Sequence, residues 1–404
     1  MKDLINFDLP LNKSSNIKVI GVGGGGGNAV SYMHKCGIHG VDFFVCNTDA
    51  SALDASPVQN KIQLGEGLGA GGDPSVAEKE AIEKAGEIKE MLENNAQMVF
   101  ITAGMGGGTG TGASPVIARI LKEMEIKDKA IKNILVVAIV TTPFSFEGSE
   151  RMKQALGGIA ELRKHVDAII IVDNDNLTKY GEFKMTQAFA FANEILSSAV
   201  KSIAEIVTVH STVQIDIRDV NTVMQNSGVA LMGFGIAEGK DRAINAIKQA
   251  VESPLLSNSN TEGAKNVLLN ISSSEENEMT MSEFEEITKF VKEATGSSVN
   301  IIWGAGNNNT LGEKIAITFV ATGFSETNPF PIPKNDLYVE SDNGPFSAGG
   351  ENKDEVDSTS NQNIQQINEQ SEERINHLRE LNAKVKSSKV WKNSKESLLM
   401  SVVM

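Results

Sequence analysis

Apolar residues along this chain fall into short unbroken runs that alternate with segments of helical spacing. Runs at residues 17–22, 41–45, 98–103, 134–140 and 166–172 are rich in Val, Ile and Ala, and Gly-, Thr- or Asx-rich sequence follows each one. Unbroken runs of this length predict strands buried on both faces, hence a parallel sheet with helices packed on either side. Helices are predicted at 29–36, 75–94 and 113–125. Met185, Phe189, Ala192, Leu196, Ala199, Ile203 and Ile206 then recur with spacing 4, 3, 4, 3, 4, 3, the stripe of a long amphipathic helix. About 22 residues at 1.5 Å each make it roughly 33 Å long, enough to cross a domain. Beyond it, helices at 241–251 and 281–294 and strands at 267–271, 299–304 and 314–321 predict a second, smaller α/β domain.

Where these runs end carries the first chemical signal. Residues 104–112 read Gly-Met-Gly-Gly-Gly-Thr-Gly-Thr-Gly, six glycines in nine residues, between a predicted strand and a predicted helix. Glycines let a backbone approach phosphate oxygens with no Cβ in the way, and a helix N-terminus favours the negative charge. Gly23 to Gly27 with Asn28, and Gly67 to Asp73, repeat the arrangement, and residues 173–176 add an Asx loop. In a parallel sheet all such loops collect at the carboxyl edge, where ligands bind. The literal pattern Gly21-x-Gly23-x-x-Gly26, with Asp49 downstream, also matches a dinucleotide fingerprint and keeps an NAD-type oxidoreductase as an alternative. Three glycine loops exceed what a dinucleotide needs, and Gly-x-x-x-x-Gly-Lys-Ser/Thr does not occur. A long polyphosphate held by backbone amides fits better.

Composition narrows the partners. A net charge of −15 over 404 residues argues against nucleic acid, which needs clustered Lys and Arg. Two cysteines, Cys36 and Cys46, make no disulfide or metal framework and suit a reduced, cytoplasmic setting, with Cys46 expected in the core. After residue 333 the sequence turns to Asn, Ser, Glu and Gln, and the segment to about Asn363 is expected to be disordered. Within 374–395 seven basic residues stand against Glu380 alone, and Ile375, Leu378, Leu381 and Val385 have helical spacing. That segment could dock on an anionic membrane surface or an acidic partner.

Taken together, the motifs resemble one family. Gly-Gly-Gly-Thr-Gly-Thr-Gly at 106–112 is similar to the tubulin-superfamily signature, and the glycine run at 21–28 to the bacterial form of its first loop. Asn47-Thr48-Asp49, Gly69-Ala70-Gly71, Thr142-Pro143-Phe144-x-Phe146-Glu147-Gly148 with Arg151, and Asn174-Asp175 complete the set. Over roughly residues 15–325 the chain resembles the FtsZ family of bacterial tubulin homologues. The resemblance implies a tubulin/FtsZ-like α/β fold: an N-terminal extension (1–15), a GTP-binding domain (16–182), a central helix and catalytic loop (183–220), a C-terminal α/β domain (221–326), and a flexible linker with a basic amphipathic tail (327–404).

It also implies a function: a GTPase that uses Mg²⁺, forms a head-to-tail homopolymer, and builds the mid-cell division ring at the inner face of the membrane. GTP or GDP would be held by Gly24, Gly25, Gly26, Gly27, Asn28, Asn47, Asp49, Ala70, Gly71, Gly72, Gly106, Gly107, Gly108, Thr109, Gly110, Thr111, Pro143, Glu147, Arg151 and Asn174. Phe189 would stack on guanine, with Asn193, Glu194 and Asn28 at its edge. Gln214, Asp216 and Asp219 form the acidic loop that completes the neighbouring subunit's site, the two carboxylates standing two turns of strand apart. Against the family pattern, Gln214 replaces Asn, Glu194 replaces Asp, and residues 396–404 lack the usual adaptor-binding peptide. The tail is still expected to reach division-ring proteins or membrane adaptors. The departures motivate an alternative: a paralogue with weak hydrolysis that acts as a structural or regulatory filament component.

Overall fold

The computed structural model describes residues 15–324, apart from 39, 94, 125–132, 178–183, 209–212, 214, 254–260 and 297. The expected tail, nearly all of the N-terminal extension, and Gln214 therefore lie outside the described residues.

Seven strands form one sheet: β1 (Ile17–Val22), β2 (Val41–Asn47), β3 (Asn60–Gln63), β4 (Met98–Gly104), β5 (Leu135–Thr142), β6 (Ala168–Asp173) and β7 (Gly228–Val229). Their order is β3-β2-β1-β4-β5-β6-β7 and every pair is parallel. Chain direction across the sheet reverses between β1 and β4, which places a crevice at the carboxyl ends of those two strands. Both faces are covered, as the unbroken apolar runs require. Ile20 and Val22 of β1 enter one hydrophobic cluster, while Ile17 and Val19 enter the cluster on the opposite face.

One face carries helices α3 (Pro74–Glu83), α4 (Ala85–Glu93), α5 (Gly108–Lys122) and α6 (Ser149–Leu162). The other carries α1 (Gly23–Lys35), α8 (Met185–Thr208) and α9 (Ile217–Met224). Two short helices, α2 (Ala50–Asp54) and α7 (Asn174–Leu177), follow β2 and β6. The smaller sheet holds β8 (Leu231–Ala237), β9 (Asn266–Ser273), β10 (Asn300–Asn307) and β11 (Ile315–Thr322) in the order β10-β9-β11-β8. Only β9 and β10 in it are parallel; α10 (Arg242–Val251) and α11 (Met281–Thr295) cover it.

Several elements differ from the sequence expectation. The helix expected over 75–94 is two helices, interrupted at Lys84. Strands β3, β7 and β8 and helix α6 escaped the apolar pattern. In β8 the reason is visible: Gly233 and Gly235 break the run, yet a Cβ on Gly235 would lie 2.0 Å from the Ala246 carbonyl oxygen of α10. Residues 217–224 are helical, so Asp216 and Asp219 stand at a helix start and not along a strand.

The long stripe sorts itself by depth. Ala192, Leu196, Ala199, Ile203 and Ile206 are buried, but Met185 is 64% and Phe189 39% exposed. Five positions hold α8 to the sheet, leaving the first two exposed at the carboxyl edge. At 24 residues α8 is roughly 36 Å long. Its far end is at the amino edge, where Thr208 lies against Gly40, just ahead of β2.

Candidate nucleotide site

Two helices begin at the crevice without a side-chain cap. Val22 precedes α1 and Gly107 precedes α5, and neither side chain bonds the first turn. The nearby helices α2 and α3 are capped by carboxylates. Asp49 accepts from the Ser51 and Ala52 amides of α2 at 2.9 and 3.2 Å, and Asp73 from the Ser75 amide of α3 at 2.8 Å. An uncapped start leaves up to about four N–H groups without an intrahelical partner, at the positive end of the helix dipole. Two such starts, one on each side of the chain reversal, make an anion site. The glycines expected to form loops before these helices are their first turns: α1 starts at Gly23 rather than near 29, and α5 at Gly108 rather than near 113.

Those glycines divide into two sets by what a Cβ would strike. On Gly26 it would lie 2.2 Å from the Thr102 carbonyl oxygen, on Gly110 2.4 Å from that of Gly104, and on Gly112 2.0 Å from that of Pro74. Close packing of α1, α3 and α5 requires these. On Gly24, Gly27, Gly71, Gly72 and Gly107 a Cβ would meet nothing within 4 Å. These five face an open cradle.

The remaining loops interlock around that cradle. Gly108 packs against Ala70, and Gly106, at φ 94°, fits between Pro143 and the Arg151 backbone. Thr111 is buried, its hydroxyl taken up by the Gly106 amide at 2.9 Å, so it shapes the loop instead of facing a ligand. Thr109 and Thr48 share a hydrogen bond of 2.7 Å. Gln154 of α6 donates to the Gly72 carbonyl at 2.9 Å. In the sequence Thr48 stood in a motif without a role of its own and Gln154 stood in none, because each acts on a loop 61 or 82 residues distant.

Aromatic and polar groups close the other end. Phe144 stacks on Phe146 with centroids 5.0 Å apart and meets Phe189 edge-on at 5.2 Å. Glu147 accepts from the Phe144 amide and from Arg151 at 2.9 and 2.7 Å, so both of its oxygens are engaged. Asn47 and Asn174 are buried, and the Asn174 Oδ1 has no hydrogen-bond partner among the described residues. On the α1–α8 contact, Asn28 is exposed and Asn193 half-buried. Glu194 is half-buried nearby, and burial raises its carboxyl above the ordinary 4.5. Tyr32 is pushed up to about 12, first by burial, then by the Cys36 thiol and the Glu194 charge.

Asp216 and Asp219 stand apart from all of this. They form a reciprocal cap at the start of α9: Asp216 accepts from the Arg218 and Asp219 amides, and Asp219 from the Asp216 amide. Among the described residues no hydrogen bond or ion pair joins either one to the cradle. Among the described residues, too, no group of three or more His, Cys, Asp or Glu is arranged to hold a metal.

Paired uncapped helix starts at the reversal point of a parallel sheet, with aromatic rings at one end, are the features of a nucleotide-binding protein. Comparison with known proteins agrees: residues 16–182 match the Tubulin/FtsZ family GTPase domain, and residues 228–325 the FtsZ family C-terminal domain. The chain is 46% identical to the cell division protein FtsZ of Mycoplasmopsis pulmonis over 82% of either chain. It is 44% identical to that of Buchnera aphidicola subsp. Baizongia pistaciae, over 79% of this chain and 81% of the relative. The solved FtsZ dimer of M. jannaschii superposes with a TM-score of 0.70 at 36% identity, covering 77% of this chain and 88% of that one. The chain belongs to the FtsZ family: it is a GTP-binding GTPase of cell division.

Two outcomes test this site. Gly24→Ala is expected to stabilise the unliganded protein by up to about 1 kcal/mol through helix propensity, yet to weaken GTP binding roughly tenfold or more by blocking an amide. Gly112→Ala is expected to do the reverse, costing about 1–3 kcal/mol of stability through overpacking. Melting curves and GTP titrations of both variants separate the two sets of glycines. Glu194 gives a pH signature. Its raised value means that the folded state favours the protonated form, so its contribution to stability is full in acid and lost as pH rises through the raised value. Glu194→Gln should therefore melt above the parent at pH 7, with the gap closing as pH falls below 4.5.

Proposed function

We propose that the protein assembles head to tail and that its GTPase site is split between two subunits. The cradle of one subunit holds GTP, and the acidic turn at 216–219 of the next completes the site. The observation that carries this is separation: the acids sit beyond the far end of a helix roughly 36 Å long whose start lies at the cradle. Apolar exposure at the cradle edge points the same way. Leu68 is 88%, Phe146 64% and Met185 64% exposed there, a surface suited to being covered by a second copy.

In the reaction, water attacks the γ-phosphorus in line as the bond to the β–γ bridging oxygen breaks. Amides of the α1 and α5 first turns hold the phosphate oxygens. The neighbour's Asp216 and Asp219 orient the water and take its proton. Mg²⁺, which neutralises charge on the phosphates, suits this cradle as a phosphate-bound ion, since Asp49 and Asp73 already cap helices. Phe189, with Asn28, Asn193 and Glu194, receives the guanine, and Glu147 with Arg151 borders the ribose. Asn47, Ala70, Pro143, Thr109 and Asn174 complete the walls. A second reading, a filament component with slow turnover, is favoured by Glu194, which keeps the carboxylate of the family's Asp but, one methylene longer, presents it to the base edge with a different reach.

Turnover per subunit should rise steeply above a threshold concentration, in parallel with the sedimentable fraction. Asp219→Asn should bind GTP like the parent but hydrolyse it roughly 100-fold more slowly. Turnover that stays constant on dilution overturns the split site, and slow turnover in fully sedimented parent protein selects the second reading.

In the cell we place the protein in the cytoplasm, at the mid-cell division ring under the membrane. The basic segment at 374–395 serves as its contact with acidic division-ring proteins, membrane adaptors or the anionic membrane surface. Full-length protein should co-sediment with anionic vesicles at low salt, and a chain ending at 363 should not. Equal recovery of the two removes the tail from that role.

A further inference from the structure

Both helices whose first turns enter the reaction, α5 and α9, are fastened at their other ends to one buried carboxylate. Asp167 immediately precedes β6 and is 1% exposed. Lys122, in the last turn of α5, donates to both Asp167 oxygens, at 2.8 and 2.9 Å. The same oxygens accept the Val136 amide of β5 at 2.9 Å and the Asn226 amide at 3.2 Å. A carboxylate offers about four acceptor positions, and here all four are filled. Asn226 lies two residues beyond α9, in the left-handed region at φ 50°. The main-chain carbonyl of Asp167 also takes the Gly228 amide, at 3.0 Å. From the smaller sheet, Thr322 donates to the Val223 carbonyl in the last turn of α9 at 2.7 Å. Among the described residues, the acidic end of α9 has no polar anchor of this kind. Asp216 and Asp219 bond to their own turn, and this end is tied to the smaller sheet by the buried Ile215 side chain against Gly304 of β10 and by the Val213–Ala305 backbone bridge.

We propose that Asp167, together with Lys122, is a positioning residue for GTP hydrolysis. The pair joins the phosphate helix of a subunit to the helix whose acids that subunit offers its neighbour. The inference rests on the split-site reading above. An eight-residue helix is a lever of roughly 12 Å, so a tilt of about 10° at the Asp167 end moves the acids by roughly 2 Å. Misplacement of catalytic groups by about 1 Å can cost on the order of 100-fold in rate. Asp167 thus sets the angle at which Asp216 and Asp219 reach the next subunit's GTP, and refers that angle to the subunit's own phosphate helix.

The test uses the full chain carrying Lys122→Gln, which removes the charge but leaves Asp167 its two backbone donors. Lys122→Met, unable to hydrogen-bond, covers the case in which the amide rebuilds the contact. The expected result is GTP affinity of unassembled protein within twofold of the parent, turnover per assembled subunit reduced at least fivefold, and recovery in Lys122→Arg. Mixing then separates positioning from plain structural damage. In a 1:1 mixture with Asp219→Asn, both subunit types offer a defective acidic turn, so turnover should equal the mean of the two alone. Turnover well above that mean shows that Lys122→Gln offers a sound acidic turn, and overturns the inference. Parental turnover in Lys122→Gln and Lys122→Met also overturns it. Parental turnover in Asp219→Asn alone fells the split-site reading, and the inference with it.

Discussion

At the carboxyl edge of the large sheet, two adjacent helices start with no side-chain cap, and the rest of the nucleotide site is built around leaving them so. A helix start without a partner for its amides is normally a fault that a nearby Ser, Asp or Asn corrects. Here α2 and α3 are corrected by Asp49 and Asp73, while α1 and α5 are left for a ligand. Stability has to come from elsewhere, and it comes from packing too close for any residue but glycine. The backbones of Gly26, Gly110 and Gly112 meet carbonyl oxygens at distances that a Cβ would violate. A first turn made of poor helix formers is therefore held in place by its neighbours, and the glycines between them leave the cradle open.

The same economy extends across the sheet to its amino edge. The half-buried Lys122 and the buried Asp167 form a pair that ends one uncapped helix and anchors the turn after α9. Such a pair adds little to net stability over an apolar substitute, but losing the lysine leaves the buried carboxylate charge uncompensated. What it supplies is geometry. The carboxylate accepts from a strand amide, a helix-end lysine and a turn amide together, so three elements share one reference point. In the split site proposed above, the angle between the surface that receives and the surface that gives becomes part of the active site.

Much of this was legible in the chain. The unbroken runs at 17–22, 98–103 and 134–140 are strands of a parallel sheet because both of their faces are buried, and burial on both faces leaves no alternation to hide the pattern. The stripe from Met185 to Ile206 is a helix because its spacing admits nothing else. Where the reading failed, a neighbour had overruled local preference. Gly23–Lys35 is helical through five glycines at its start because β1, β4 and α5 enclose them. Leu231–Ala237 is a strand despite two glycines because α10 leaves no room for larger residues at Gly235.

Sequence by itself determined the alternation of strands and helices, the side of the sheet on which the glycine loops fall, and the family. These follow from periodicity and from short motifs, whose meaning is carried by residues close together along the chain. Only the tertiary structure decided which glycines pack and which face the cradle, since Gly26 and Gly24 differ solely in what lies across from them. It alone gave Thr111 to the loop backbone, left the Asn174 carbonyl without a partner among the described residues, and stood Asp216 and Asp219 at a helix start away from the cradle. It alone brought Lys122, Asp167 and Asn226 together across more than a hundred residues of chain. Contacts of that separation are set by how the sheet orders its strands, and no local pattern records them.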